Sequence, residues 1–128
     1  MDRINVIPLK SVGEVKFGMK RVDVRKILGE AQEYKKTKFS KTTTDDFGFC
    51  HVYYNSADEC EAVEFFEEIE VYVSEKKIFP GKIDEAKLVL KSLTQDGDDY
   101  TDVDNSVGIY APSGKMESIL FGELGYYA

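Results

Sequence analysis

Residues 47–66 read FGFCHVYYNSADECEAVEFF, and the pattern of this stretch decides the fold class. FGFCHVYY is aromatic and β-prone, Asn-Ser-Ala-Asp at 55–58 is turn chemistry, and ECEAVEFF is a second strand of similar character. A hairpin turning near Ala57 sets Cys60 opposite Tyr54 and Cys50 opposite Glu64, so the two thiols sit several pairs apart and no disulfide is expected. Immediately downstream, IEVYVSEKKIF at 69–79 supplies a third strand and, after Ser74-Glu75, a possible fourth. The expectation is a β-meander over 47–79.

Outward from the meander the period changes from two to helical. PGKIDEAKLVLKSLT places Ile83, Ala86, Leu88, Val89, Leu90 and Leu93 on a broad apolar face behind Pro80-Gly81, predicting a helix over 83–93. On the N-terminal side, Val22, Val24, Ile27 and Leu28 form a stripe closed by Gly29, predicting a helix over 20–28. INVIPL at 4–9 reads as a strand ending near Pro8, which cannot donate a ladder hydrogen bond. Residues 30–46 carry several threonines and little periodicity, which suits an edge strand, a long loop, or both. QDGDDYTDVDNS at 95–106 reads as an acidic loop, followed by short strands in SVGIYAP, KMESILFG and GYY. A shift of 56 positions lays residues 52–66 on 108–122, matching Tyr54 with Tyr110, Glu61 with Glu117 and Phe65 with Phe121, with Val63 on Ile119. The fold expected is therefore α+β: a single mainly antiparallel sheet of five or more strands, two helices packed on one face, and a possible two-unit repeat.

At 128 residues the chain suits one domain, 1–128, with a core large enough to need no disulfide or metal. Hydrophobic residues at 42 % and only three prolines place it away from disordered compositions. The opening MDRINVIPLKSVGEV lacks the apolar run of a secretory signal, and nothing approaches the roughly 20 apolar residues of a membrane span, so a soluble cytoplasmic protein is expected. Cys50 and Cys60, outside any C-x-x-C spacing, read as reduced thiols.

The net charge of −7 conceals strong segregation. Residues 1–41 hold eleven Lys or Arg against five acids, whereas 42–75 hold ten acids and no base, and 92–114 five acids and no base. Dense charge of one sign speeds encounter with an opposite partner, which points to a basic one; the other reading is solvated edges kept acidic for solubility. Direct nucleic-acid binding is disfavoured by the net charge. Catalytic patterns are missing: the one histidine, His51, lies inside a predicted strand, no phosphate-binding glycine motif occurs, and an eligible carboxylate pair carries no information among 24 acids. Asp102, Asp104 and Ser106 fit alternate calcium-loop positions, but Val107 stands where glycine is required and Ser113 where the bidentate glutamate belongs. No enzyme activity, cofactor or metal is expected.

Val15-Lys16-Phe17-Gly18-Met19-Lys20, followed by Val22, Val24, Ile27, Leu28 and Gly29, resembles the helix motif of small bacterial domains with the β-lactamase-inhibitor-protein-like fold. Outer-membrane assembly lipoproteins share this motif, but their lipidated cysteine has no counterpart here. The resemblance covers the fifteen residues 15–29. It implies a cytosolic inhibitor, such as an immunity protein of a contact-dependent growth inhibition system that binds a cognate, commonly basic nuclease toxin. The alternative is a small accessory or regulatory domain, or a weakly recognisable enzyme, whose acids are solvated or bind a cation. The acids expected to meet a partner are the loop set Asp96, Asp98, Asp99, Asp102 and Asp104, then Asp45 and Asp46. Tyr53 and Tyr54 are the aromatic candidates for a partner-facing sheet face, since tyrosine is enriched at interface centres; the other reading is that these strand aromatics pack in the core.

Overall fold

Arg3–Ile7 (β1) turns back onto Ser11–Val12 (β2), which pairs in turn with Val15–Lys16 (β3), and Pro8 stands just past the first strand as its missing N–H requires. The computed structural model describes residues 3–66 and 69–127. The helix Arg21–Leu28 (α1) follows, closed by Gly29 at φ 95°. Its start has no side-chain cap; instead the Arg21 N–H donates to the Asp58 carbonyl, so a distant turn satisfies one of the orphan donors. Its inward face is Arg21 and Val24 with half-buried Leu28, while Val22 stays 60 % exposed and Ile27 is also exposed. The expected apolar stripe is thus rotated, because Arg21 points inward to meet a buried carboxylate.

Four strands then form a meander: Gln32–Tyr34 (β4), Thr44–Asp46 (β5), Cys50–Tyr54 (β6) and Cys60–Phe65 (β7). Residues 30–46 are accordingly both strand and loop. Tyr54 pairs with Cys60 as expected, but a bulge at Tyr53/Tyr54 puts Cys50 opposite Phe65 rather than Glu64. Glu70–Val73 (β8) and Lys76–Phe79 (β9) do not extend this meander, because both edges of β7 are filled, by β6 and by a C-terminal strand. Instead β8 lies parallel to β1, Ile4 beside Val71 and Val6 beside Val73. There are therefore two sheets, not one, and the smaller, in the order β3-β2-β1-β8-β9, is mixed.

The second helix spans Ile83–Lys87 (α2), shorter than the expected 83–93. Ile83, Ala86 and Leu90 are buried at helical spacing, but Leu88 is 70 % exposed and the chain leaves the helix to enter a hairpin. That hairpin, Thr94–Asp96 (β10) with Asp99–Asp102 (β11), occupies the stretch expected as an acidic loop. Gly97, at φ 64°, takes the first central position of its two-residue turn, where glycine bears no Cβ penalty. Val107–Tyr110 (β12) and Ser118–Gly122 (β13) complete an eight-stranded antiparallel sheet, in the order β10-β11-β12-β13-β7-β6-β5-β4.

The halves are similar but unequal: three strands, β1–β3, precede α1 and the β8–β9 hairpin precedes α2, each helix leads into a four-strand meander, and the meanders meet at β13 and β7. The 56-residue shift holds on β7 and β13, where Val63 and Ile119, and Phe65 and Phe121, all face the core. It is one residue out on the preceding strands: Tyr54 is buried in the core, whereas Tyr110 alternates with core-facing Ile109 and is exposed.

One main core contains Val24 of α1, Ile83 and Ala86 of α2, the small sheet's Val6, Val71 and Ile78, and one face of the large sheet. A separate cluster of Tyr53, Ala62 and Leu120 lies on the large sheet's other face and includes no helical residue. Both helices and the small sheet therefore cover the same face, and the opposite, open face carries the C-terminal Tyr126 and Tyr127 packed on its central cluster. Among the described residues no helix is long and apolar enough to cross a membrane. Cys50 and Cys60 are buried free thiols, and burial pushes each up to about 12. A disulfide-exchange thiol reagent at neutral pH is expected to label neither cysteine in the native protein and both after denaturation; fast native labelling would contradict this packing.

Candidate functional site on the open sheet face

Strand alternation places Tyr34, His51, Tyr53, Glu64, Leu120 and Tyr110 on the open face, since their neighbours Cys50, Val52, Val63, Phe65, Ile119 and Ile109 belong to the main core. The β4–β7 half of this face is tied together. The Tyr34 hydroxyl and His51 Nδ1 are hydrogen-bonded at 2.9 Å, His51 Nε2 lies 3.5 Å from Asp46 Oδ2, and the imidazole packs at 4.6 Å against Phe66. Tyr53 donates a short hydrogen bond to Glu64, and the Lys36 ammonium sits 4.7 Å from the Tyr53 ring. Burial, then the Glu64 hydrogen bond, pushes the Tyr53 phenol well above its ordinary value, so it remains a neutral donor.

At the sheet centre the C-terminal segment folds back. Gly122 and Gly108 provide its seat: a Cβ on Gly122 would come within 2.6 Å of the Tyr126 Cβ, and one on Gly108 within 1.9 Å of the Tyr127 hydroxyl oxygen. The Tyr126 and Tyr127 rings meet edge-to-face at 5.2 Å and pack against Tyr53, Ala62 and Leu120. Burial, followed by Glu61 and Glu64, raises Tyr126 to about 12.

Beyond these rings the face dips into a cavity of about 370 Å³, bordered by Glu64, Asp96, Asp99, Tyr110, Leu120 and Tyr127. The hairpin register sets Asp96 directly opposite Asp99, and Asp99 opposite Tyr110 on the next strand. One carboxylate from the first acidic window, Glu64, thus borders the same cavity as two from the second, from which it is separated by β12 and β13. None of these three takes part in an ion pair among the described residues.

The other residues expected to meet a partner are distributed differently. Asp45 is 0 % exposed on the core side, where its Oδ1 accepts from Arg21 at 3.0 Å and Arg25 Nη2 at 2.6 Å, and its Oδ2 from Arg25 Nε at 2.8 Å and the Tyr54 hydroxyl at 2.9 Å. Asp45 and Tyr54 are thus parts of a buried ionic network. Asp102 is also fully buried and closes the turn after β11 by accepting from the Asn105 backbone and side-chain amides. Tyr53 does lie on the open face, but only 8 % exposed. Asp46 is half-buried and accepts from the Gly48 N–H at 2.7 Å. Asp98 and Asp104 are exposed at the tips of turns, away from the cavity lining.

Glu64, Tyr110, Leu120 and Tyr127 were not among the partner contacts expected from the sequence. Period-two alternation joins Glu64 to Leu120, but their pairing across β7 and β13 is a contact between halves with no local signature. No family model matches the chain, and comparison with curated proteins and with solved structures gives no match.

Proposed function

We propose that this chain is a protein-binding inhibitor of the immunity type, covering a basic surface of its partner with the open face of the eight-stranded sheet. The observation that carries the reading is that Glu64, Asp96 and Asp99 line one face of the sheet around a cavity bordered by Tyr110 and Tyr127, with no cation of the chain paired to them among the described residues. Charge of this kind steers a basic partner and fixes its orientation, and tyrosines at the centre supply contact area at low entropic cost. The helix motif at residues 15–29, which resembles that of inhibitory bacterial domains, supports the same reading.

The test is association with the protein encoded by the adjacent gene, followed by stopped flow. Asp96→Asn with Asp99→Asn is expected to slow association about tenfold at low salt, and the wild-type rate to fall steeply above about 0.1 M salt, where screening acts within about 10 Å. Absence of binding, or a rate indifferent to both charge removal and salt, would overturn the proposal. Asp45→Asn is unsuitable for this test, because it alters the core.

A further inference from the structure

The loop that joins β4 to β5 concentrates the opposite charge. Lys35, Lys36, Lys38 and Lys41 fall within seven residues with no acid among them, and all four are exposed. None of the four enters an ion pair among the described residues. At the apex the Ser40 N–H donates to the Thr37 carbonyl at 3.1 Å, which makes Lys38 and Phe39 the central pair of a turn. The Thr37 N–H donates to Ser40 Oγ at 3.0 Å and the Phe39 N–H to the Thr37 hydroxyl at 3.2 Å, so the turn is held without the Phe39 side chain. That ring is 81 % exposed, more than any other large hydrophobic side chain among the described residues. The Lys38 ammonium lies 5.1 Å from its centre, so positive charge and apolar area are presented side by side.

We propose that this loop docks on the surface of an anionic lipid bilayer, with Phe39 entering the boundary between headgroups and acyl chains while Lys35, Lys38 and Lys41 meet the headgroup charge. Lys36 leans back over the Tyr53 ring, toward Glu61. The acids of the chain do not cancel the loop's charge. β4 and β10 are opposite edges of the eight-stranded sheet. At about 4.8 Å per strand they stand roughly 30 Å apart, well beyond the screening length of about 10 Å. Nearer acids are engaged: Asp45 with Arg21 and Arg25, Glu33 with Arg25, Asp58 with Arg21 and Glu59 with Lys20. Nucleic acid is the other polyanion for a lysine-rich loop, and the side chains favour the bilayer. A single strand is held by several rings that stack successive bases, and duplex bases are read mainly by arginine, but this loop has one ring and no arginine. Phenylalanine carries no polar atom, so its whole ring can leave water, and the lysine stems let their ammoniums stay at headgroup level above it. Docking here needs no basic partner and leaves the carboxylates of the open face free.

The chain contains no tryptophan, so Phe39→Trp places a single indole at the apex as a reporter. Vesicles of phosphatidylcholine with about one third phosphatidylglycerol are expected to shift its emission to the blue, and vesicles of phosphatidylcholine alone to leave it at the wavelength of exposed indole. Flotation of the wild-type full chain with the same vesicles gives the affinity of the native loop. Combining Lys35→Gln, Lys38→Gln and Lys41→Gln should weaken anionic-vesicle binding about a hundredfold, at about fivefold per lysine, and Phe39→Ser about tenfold. All four side chains are exposed, and circular dichroism spectra matching the wild type confirm that the variants fold. Wild-type binding should also weaken as salt rises. No binding to anionic vesicles, equal binding to neutral and anionic ones, or binding that survives the triple lysine change would each overturn the proposal. Quenching of the indole by an oligothymidylate, with no response to vesicles, would assign the loop to single-stranded nucleic acid and refute the bilayer.

Discussion

Asp45→Ala is expected to lower the unfolding free energy by about 3–5 kcal/mol, a large part of the roughly 5–15 kcal/mol that holds a typical domain folded. Asp45 is completely buried, and it receives hydrogen bonds from two arginines and from Tyr54. Removing its carboxylate leaves Arg21, itself buried, with its charge only partly compensated by the more exposed Asp58, and it leaves the Tyr54 hydroxyl without an acceptor. Urea unfolding monitored by circular dichroism measures the loss. Asp23→Ala, which removes an exposed i,i+3 pair with Lys26, should change stability by under about 0.5 kcal/mol and serves as the control. A loss at Asp45 no larger than at Asp23 would show that the network is not structural.

The same carboxylate fixes a pH dependence. Burial by itself would raise Asp45, but the hydrogen bonds from Arg25 and Tyr54 and the charges of Arg21 and Arg25 hold it below its ordinary value. Because the folded value is depressed, the unfolded chain takes up the proton first as pH falls. The contribution to stability is complete above the unfolded carboxylate value of about 3.9 and is lost as pH drops below it through the folded value. The acid limb of the stability profile should therefore be shallower in Asp45→Ala than in the wild type.

Gly122→Ala is expected to cost about 1–3 kcal/mol through overpacking and to displace the C-terminal tyrosines from the sheet. The added methyl would lie 2.6 Å from the Tyr126 Cβ, an atom fixed to the backbone, so rotating the ring does not relieve the clash. Gly108→Ala meets the far end of Tyr127 instead, which can swing aside, so its stability cost should be smaller. Pairing Gly122→Ala with Tyr126→Gly removes both the clash and the ring, and the two changes should be strongly non-additive. Tyrosine fluorescence and urea midpoints of the single and double variants report both effects. A Gly122→Ala protein as stable as the wild type, with unchanged tyrosine emission, would contradict the packing of this segment.

Much of the fold was legible locally. The alternation at 47–66 announced the β6–β7 hairpin, and Gly29 ended α1 at φ 95° and ψ −148°, a backbone conformation that glycine alone adopts readily. The Gly97-Asp98 pair also carried a hairpin signal in QDGDDYTD, but the density of aspartates made a loop the natural reading. Carboxylates disfavour strands only weakly, and pairing across a tight turn outweighs that preference.

The sequence by itself determined the α+β class, the sites of the helices and most strands, and the segregation of charge, because these depend on period, turn chemistry and composition within a few residues. Tertiary structure alone decided that the strands divide into two sheets, since that division follows from which edges of β7 are already occupied. It also decided the fate of individual acids. Asp45 and Asp46 are neighbours with the same side chain, yet strand alternation sends one into the arginine network and the other toward His51 on the open face. Glu64, Asp96 and Asp99 come from separate strands, and they share one face only because β13 joins the two meanders and the β10–β11 hairpin presents its acids on the same side. A side chain's neighbours across a sheet are set by register between distant segments, which no local pattern encodes.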